Sequence, residues 1–279
     1  HCETLAKRGH EITWLGVDDR GQIDLAELEK SIRPDTALVT VMWANNETGV
    51  LFPIHEIAGI VRAKKALFHT DAVQAVGKIP LNLAESKINF LSLSGHKLHC
   101  PKGVGVLYVN RRTKFAPYLI GGGQEHGKRA GTENVASIVG LGKACEVAGA
   151  NLEHENTVVR AWRDTFENGA LGTIEGAQVN GDAEHRLPNT SNLAFDGIDA
   201  EGALMLLDQH HICCSSGSAC TTGSVHASHV LKAMGFSDER ARASLRFSFS
   251  RFNNSAEVEK ALEILPKVIA KLRRLAVAA

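Results

Sequence analysis

The sequence predicts an α/β fold, with a large domain on a mainly parallel sheet over residues 1–150 and a smaller α+β domain over residues 151–279. Three observations carry that expectation. Short apolar runs alternate with helical patterns up to residue 150, polar clusters sit at the ends of the expected strands, and the alternation breaks down beyond that point. The 279 residues, 44% of them apolar, are enough for two cores.

Each element has a local cause. Cys2 to Gly9 has helical spacing already in progress and the chain opens on His1, so a fragment with a missing beginning is expected. Ala37 to Trp43 is an apolar strand, and Pro53 followed by Ile54, Ile57, Ile60 and Val61 predicts a helix with proline in its first turn. Ala66–Thr70, Ile88–Leu93 and Val104–Val109 are further strands, and Glu133–Gly149 is a helix with Thr132 as its expected cap. Beyond these come a polar helix around Asn151–Asn168, a strand at Ser191–Phe195 and a helix over Asp199–Gln209. In Ser244–Ser250, Leu245, Phe247 and Phe249 alternate with Arg246 and Ser248, which presents the arginine on the polar face of a strand. The last helix carries Val258, Leu262, Leu265, Ile269 and Leu272 as a core-facing stripe, with a kink expected at Pro266.

Charge narrows the function classes. Thirty-one basic residues balance 31 acidic ones, so bulk electrostatics favours neither nucleic acid nor an anionic membrane. No apolar run approaches the ~18 residues of a membrane helix, and a soluble, cytoplasmic protein acting on a small molecule is expected. The cysteines at 2, 100, 145, 213, 214 and 220 form no CxxC pair, which argues against disulfides and zinc knuckles. His96, His99 and Cys100 cluster, but no second ligand pair completes a tetrahedron, so no resident metal is expected.

Three polar clusters fall at strand ends, where open α/β sheets bind ligands: WANNETG at 43–49, HTDAVQAVGK at 69–78 and LSLSGHKLHCPKGVG at 91–105. Asp71 and Lys97 each follow an apolar strand, and burying either charge is unfavourable without a partner. A cofactor between them removes both penalties: a pyridinium nitrogen meets Asp71 and an aldehyde condenses with Lys97, the arrangement of a pyridoxal-phosphate enzyme. The plainer alternative is a turn-capping Asp71 and a surface Lys97. Ser94, Gly95 and His96 bring a hydroxyl, a close backbone approach and an imidazole, and Gln74 is placed to reach a phenolic oxygen. The glycine-rich run at 121–132 ends at a helix N-terminus where Thr132 and the first amides can hold a phosphate; a plain turn is the alternative. CCSSGSACTTGS at 213–224 contains only small residues, so it is expected to be mobile and to expose Cys220 as a nucleophile. Cys2, Cys100, Cys145, Cys213 and Cys214 are expected to be small core residues.

TDAVQAVGK, SLSGHKLHCPKG, GGGQEHGKRAGTEN, SSGSACTTGS and LRFSFSRF resemble the class V aminotransferase-like cysteine desulfurases, the NifS/IscS family, in family order along essentially the whole chain. KRAGTEN and SGHK followed by LHCPKG are more similar to the NifS branch than to the IscS branch. The resemblance implies the pyridoxal-phosphate fold type I and an N-terminal part missing here. It implies that Lys97 holds pyridoxal 5'-phosphate, that Asp71 pairs with the ring nitrogen, and that Gln74 and Asn46 contact ring substituents. Ser94 and His96 would hold the phosphate and flank the Schiff base, and Thr132 would reach the phosphate of the partner subunit in a homodimer. Arg246, with Asn46 nearby, would bind the carboxylate of L-cysteine, and Cys220 would accept its sulfur as a persulfide, releasing L-alanine. An iron–sulfur scaffold protein is the implied acceptor, as in nitrogenase-type cluster assembly, and a shared cluster would meet Cys220 only transiently. The competing readings are a selenocysteine lyase or another aminotransferase of this fold, and a catalytically inactive sulfur-carrier partner.

Overall fold

The computed structural model describes residues 1–84, 86–217 and 227–278, with side chains up to residue 276. Cys220 therefore lies outside the described residues.

Four strands, β1 (Leu38–Met42), β2 (Leu67–Asp71), β3 (Phe90–Ser94) and β4 (Gly105–Val109), form a sheet in that order. β1, β2 and β3 are parallel, as expected, while β4 returns antiparallel to β3. The helix Ile54–Ala63 makes the crossover between β1 and β2 and buries Ile54, Ile57, Ala58 and Val61. These pack on Phe68, Leu91, Trp43 and Ile88 in one apolar cluster. Each fully buried Ile or Phe contributes roughly 1.5–3 kcal/mol.

The second sheet is antiparallel, in the order β5 (Ala177–Val179), β6 (Thr190–Phe195), β7 (Ser244–Ser248). The three-residue β5 has no alternating pattern of its own and was not foreseen. Every residue of β6 is buried, because the helices Arg160–Thr173 and Ser255–Ala278 cover one face of this sheet and the first unit abuts the other. The latter helix runs through Pro266 without a break.

Several local expectations are corrected. The helix Val135–Ala150 is capped by the Asn134 side chain, which accepts from Ser137 N, and not by Thr132. Asn is as good a cap as Thr, and position alone did not separate them. The helix expected around residues 151–168 forms as one helical run from Leu152 to Thr173, with a single wider turn, Glu155–Val159, inside it that the sequence pattern did not mark. Cys100 is buried and Cys214 packs at the edge of the second core, but Cys145 and Cys213 are exposed and Cys2 is half-buried. Of the neighbours Cys213 and Cys214, only Cys214 packs against the second core, while Cys213 stays exposed.

The two sheets are joined at the turn after β1. Gly49 has φ +78°, and a Cβ there would stand 2.9 Å from Thr190 Cβ, so only glycine allows β6 this close. Leu187 N bonds Gly49 O at 2.8 Å, and Asn192 Nδ2 bonds Glu47 O at 3.0 Å. Beneath this seam, Glu167 binds Arg186 through both oxygens and accepts from Ser191 Oγ at 2.6 Å.

Candidate active site

The cleft between the two sheets holds about 260 Å³ and is lined by Asn46, Gln74, Lys78, His96, Lys97, His99 and Arg246, with Asn189, Thr190 and Ser248–Ser250 closing it. Its first wall is built where β1, β2 and β3 end, because parallel strands deliver their C-terminal loops to one edge. Its second wall is β7 and the chain after it.

On the first wall β2 ends at Asp71, whose Oδ1 accepts from Val73 N at 2.9 Å. That bond turns the chain so that Val73 and Gln74 face the cleft. Two positions earlier, His69 bridges Thr40 Oγ1 at 2.8 Å and Ser92 Oγ at 3.1 Å, tying the three parallel strands together. Burial pushes the His69 pKa down against the opposing pull of Asp71. β3 passes into a single tight turn, Gly95–Leu98, which presents His96 and Lys97. Ser94 Oγ lies 2.7 Å from His96 Nδ1. The burial argument made from sequence for Lys97 does not hold, since its side chain is exposed at the mouth of the cleft; Asp71 is half-buried. His99 follows in a left-handed conformation, φ +64°, with its ring edge on Phe252. Burial lowers its pKa, reinforced by Arg251 and Lys78.

On the second wall Arg246 Nη1 donates to Asn46 O at 2.5 Å, so the expected substrate arginine and the expected asparagine meet across the cleft. Asn45, the neighbouring candidate, is used elsewhere: its Oδ1 accepts from Glu47 N, Thr48 N and Thr48 Oγ1 and builds the turn. Ser215 pairs with Arg246 as a short bridge, and Ser228 Oγ donates to Glu47 Oε2 at 2.5 Å. The chain is therefore anchored to the walls of the cleft on both sides of residues 218–226. Burial pushes the Cys214 thiol up to about 12 and leaves it inert.

The structure thus brings together Asn46, Gln74, His96, Lys97 and Arg246. Asp71 and Ser94 stand behind the lining residues, and Thr132 is exposed and outside the cleft. Sequence reasoning missed Lys78, although it lies within the quoted HTDAVQAVGK run, and it considered His99 only as a metal ligand. Asn189 and Thr190 carried no local signal.

Residues 1–261 match the Aminotransferase class-V family. The chain is 52% identical over 275 residues to a protein from Gluconacetobacter diazotrophicus named cysteine desulfurase, covering 98% of this chain and 69% of that protein. The chain belongs to the cysteine desulfurases of the class-V aminotransferase family. It is similar also to a cysteine desulfurase NifS of Azotobacter vinelandii, 51% identical over 272 residues, with 98% of this chain and 68% of that one covered. A solved structure described as a NifS-like protein superposes with a TM-score of 0.89 at 35% identity, covering 97% of this chain and 71% of the other.

Desulfurases of this family depend on pyridoxal phosphate, and the residues present fit that group. An exposed amine, Lys97, takes an aldehyde; a half-buried carboxylate, Asp71, has one oxygen committed to Val73 N and suits a pyridinium. Ser94 and His96, joined by a hydrogen bond, offer donors for a phosphate beside the tight turn.

Proposed function

We propose that this cysteine desulfurase converts L-cysteine to L-alanine in the cleft between the sheets, with Lys97 as the attachment point of pyridoxal phosphate and Cys220 as the sulfur acceptor. The observation that carries the reading is the meeting of Arg246 with the Asn46 turn opposite Lys97. An arginine fork facing a lysine across a cleft of about 260 Å³ suits a small amino acid held by its carboxylate.

Bound pyridoxal phosphate supplies an electron sink next to the substrate Cα. The chain supplies the rest. Arg246 holds the carboxylate and Asn46 fixes its orientation. Asp71 would pair with the ring nitrogen of the bound cofactor and Gln74 would donate to its ring oxygen. Lys97 Nζ takes the Cα proton and returns one to the product, with His96 beside it. Cys220, as thiolate, bonds to the substrate sulfur while the substrate C–S bond breaks and its electron pair stays with carbon. Protonation of that carbon gives L-alanine and leaves a persulfide on the enzyme. An iron–sulfur scaffold protein then takes the terminal sulfur, serving nitrogenase-type cluster assembly.

Thr132, exposed and outside the cleft, is assigned to the phosphate of the partner subunit in a homodimer. The large domain, residues 1–150, carries Lys97, and the small one, residues 151–279, carries Arg246 and Cys220. No helix among the described residues is long and apolar enough to cross a membrane, and we place the enzyme in the cytoplasm.

The test is the full chain with pyridoxal phosphate and L-cysteine, assayed for alanine and sulfide, wild type against Cys220→Ala. Both products from wild type and neither from the variant are expected. Alanine formation that survives the loss of Cys220 would instead mark a lyase.

A further inference from the structure

Two lysines line the cleft, and the cofactor aldehyde has to choose between them. Lys97 is exposed and makes no ion pair or side-chain hydrogen bond among the described residues. Lys78 differs in every respect. Its Nζ lies 3.1 Å from Glu155 Oε1, with side-chain exposures of 13% and 1%. Neither Glu155 oxygen has a hydrogen-bond donor of suitable geometry among the described residues, so the ion pair with Lys78 is its closest compensation there, with His99 near enough to feel the same charge.

The pair is built by an unusual piece of backbone. Glu155 opens the wide turn Glu155–Val159, an insertion at the head of the helix Arg160–Thr173 of the kind that recurs at functional sites. The next residue, Asn156, donates from Nδ2 to Lys78 O at 2.8 Å, so the turn grips both the backbone and the side chain of one lysine. Drawing the Lys78 ammonium away from Glu155 would leave a buried carboxylate without its ion-pair partner, which is strongly unfavourable.

Attack on an aldehyde needs a free electron pair on nitrogen. We propose that Glu155 is a specificity-determining positioning residue: it holds Lys78 as a bound ammonium, so that the cofactor aldehyde is captured by Lys97 alone. The step is a condensation in which the Lys97 nitrogen bonds to the aldehyde carbon, its protons pass to the carbonyl oxygen, and that oxygen leaves as water. No oxidant or reductant is needed. The inference rests on the assignment of Lys97 to the cofactor, and its test separates the two.

The full chain is loaded with pyridoxal phosphate, reduced with borohydride and mapped by peptide mass spectrometry. In wild type the label is expected on Lys97, and a wild-type map without it overturns the assignment of Lys97 and this inference with it. In Lys97→Ala, Lys78 is expected to stay unlabelled; in Lys97→Ala/Glu155→Gln its labelling is expected to rise at least tenfold. Equal labelling of Lys78 in the two variants overturns the guarding role while leaving Lys97 in place. Where the glutamine variant does not fold, Lys97→Ala/Glu155→Asp keeps the charge and shortens its reach. At least a threefold rise is expected there, and no rise overturns the proposal.

Discussion

Ser215 and Arg246 exchange two backbone hydrogen bonds, Arg246 N to Ser215 O at 2.7 Å and Ser215 N to Arg246 O at 3.1 Å. The bridge sits on the open edge of β7, whose other edge pairs with β6. The segment that leads to Cys220 thus leaves the sheet beside the guanidinium that faces the cleft. Proline at 215 removes the N–H donor and one of the two bonds. Ser215→Pro is expected to slow sulfide release by about tenfold, at the scale of one lost hydrogen bond to an ordered strand. A sulfide assay at saturating L-cysteine checks it.

Arg246 is fixed by its bond to Asn46 O, and its fork geometry cannot be reproduced by an ammonium. Arg246→Lys is expected to lower kcat/KM for L-cysteine by about 10–100-fold, the size of a charge-assisted hydrogen bond of roughly 1.5–3 kcal/mol. The loss should fall mainly on KM, which steady-state kinetics resolves.

Asn45 and Asn46 are adjacent and do different work. Asn45 Oδ1 accepts three hydrogen bonds inside the turn, while Asn46 lines the cleft. Asn45→Ala is expected to cost about 1–2 kcal/mol of stability. Asn46→Ala should leave the melting temperature nearly unchanged and reduce turnover. Thermal melts beside activity assays on both variants separate the roles.

Glu167 is buried, yet hydrogen bonds from Arg186 and Ser191 outweigh that burial and hold its carboxyl below the usual range. Arg186→Ala would leave the carboxylate without its partner beneath the seam. A loss on the order of 3–5 kcal/mol is expected in chemical denaturation, the range for breaking a buried pair from one side.

Asp182 accepts from Glu184 N and His185 N and pairs with Arg20 at 2.9 Å, and these contacts, against an opposing burial effect, lower its pKa from 3.8 to about 2. The folded pKa is below the unfolded one, so its contribution is fully present above about pH 4 and is lost as pH falls toward about 2. Asp182→Asn is expected to lower stability at pH 7 by on the order of 1–2 kcal/mol and to flatten the acid limb of the stability curve between those values.

Much of the architecture was legible because it is written in short periods. The apolar runs at β1 to β3, the proline-started helix between β1 and β2, and the alternation around Arg246 each depend on neighbours within a few residues, and each formed where expected. Where two residues of equal propensity compete, as Thr132 and Asn134 do for one helix cap, or Asn45 and Asn46 for one turn, local preference is degenerate and contacts made across the fold decide. β4 looked like its parallel neighbours because a strand's direction leaves no mark on its own sequence.

By itself the sequence determined the alternating frame and the polar clusters at strand ends, since residue type and local spacing are enough for these, and its motifs, through their resemblance to a family, singled out Asp71, Gln74, Lys97 and Arg246 as candidates. Only the tertiary structure decided that Lys97 stands exposed and without an ion pair among the described residues while Lys78, nineteen positions earlier, is bound to a buried carboxylate seventy-seven positions further on. The physical reason is that burial and ion pairing are properties of the space around a side chain, and residues from distant parts of the chain create that space.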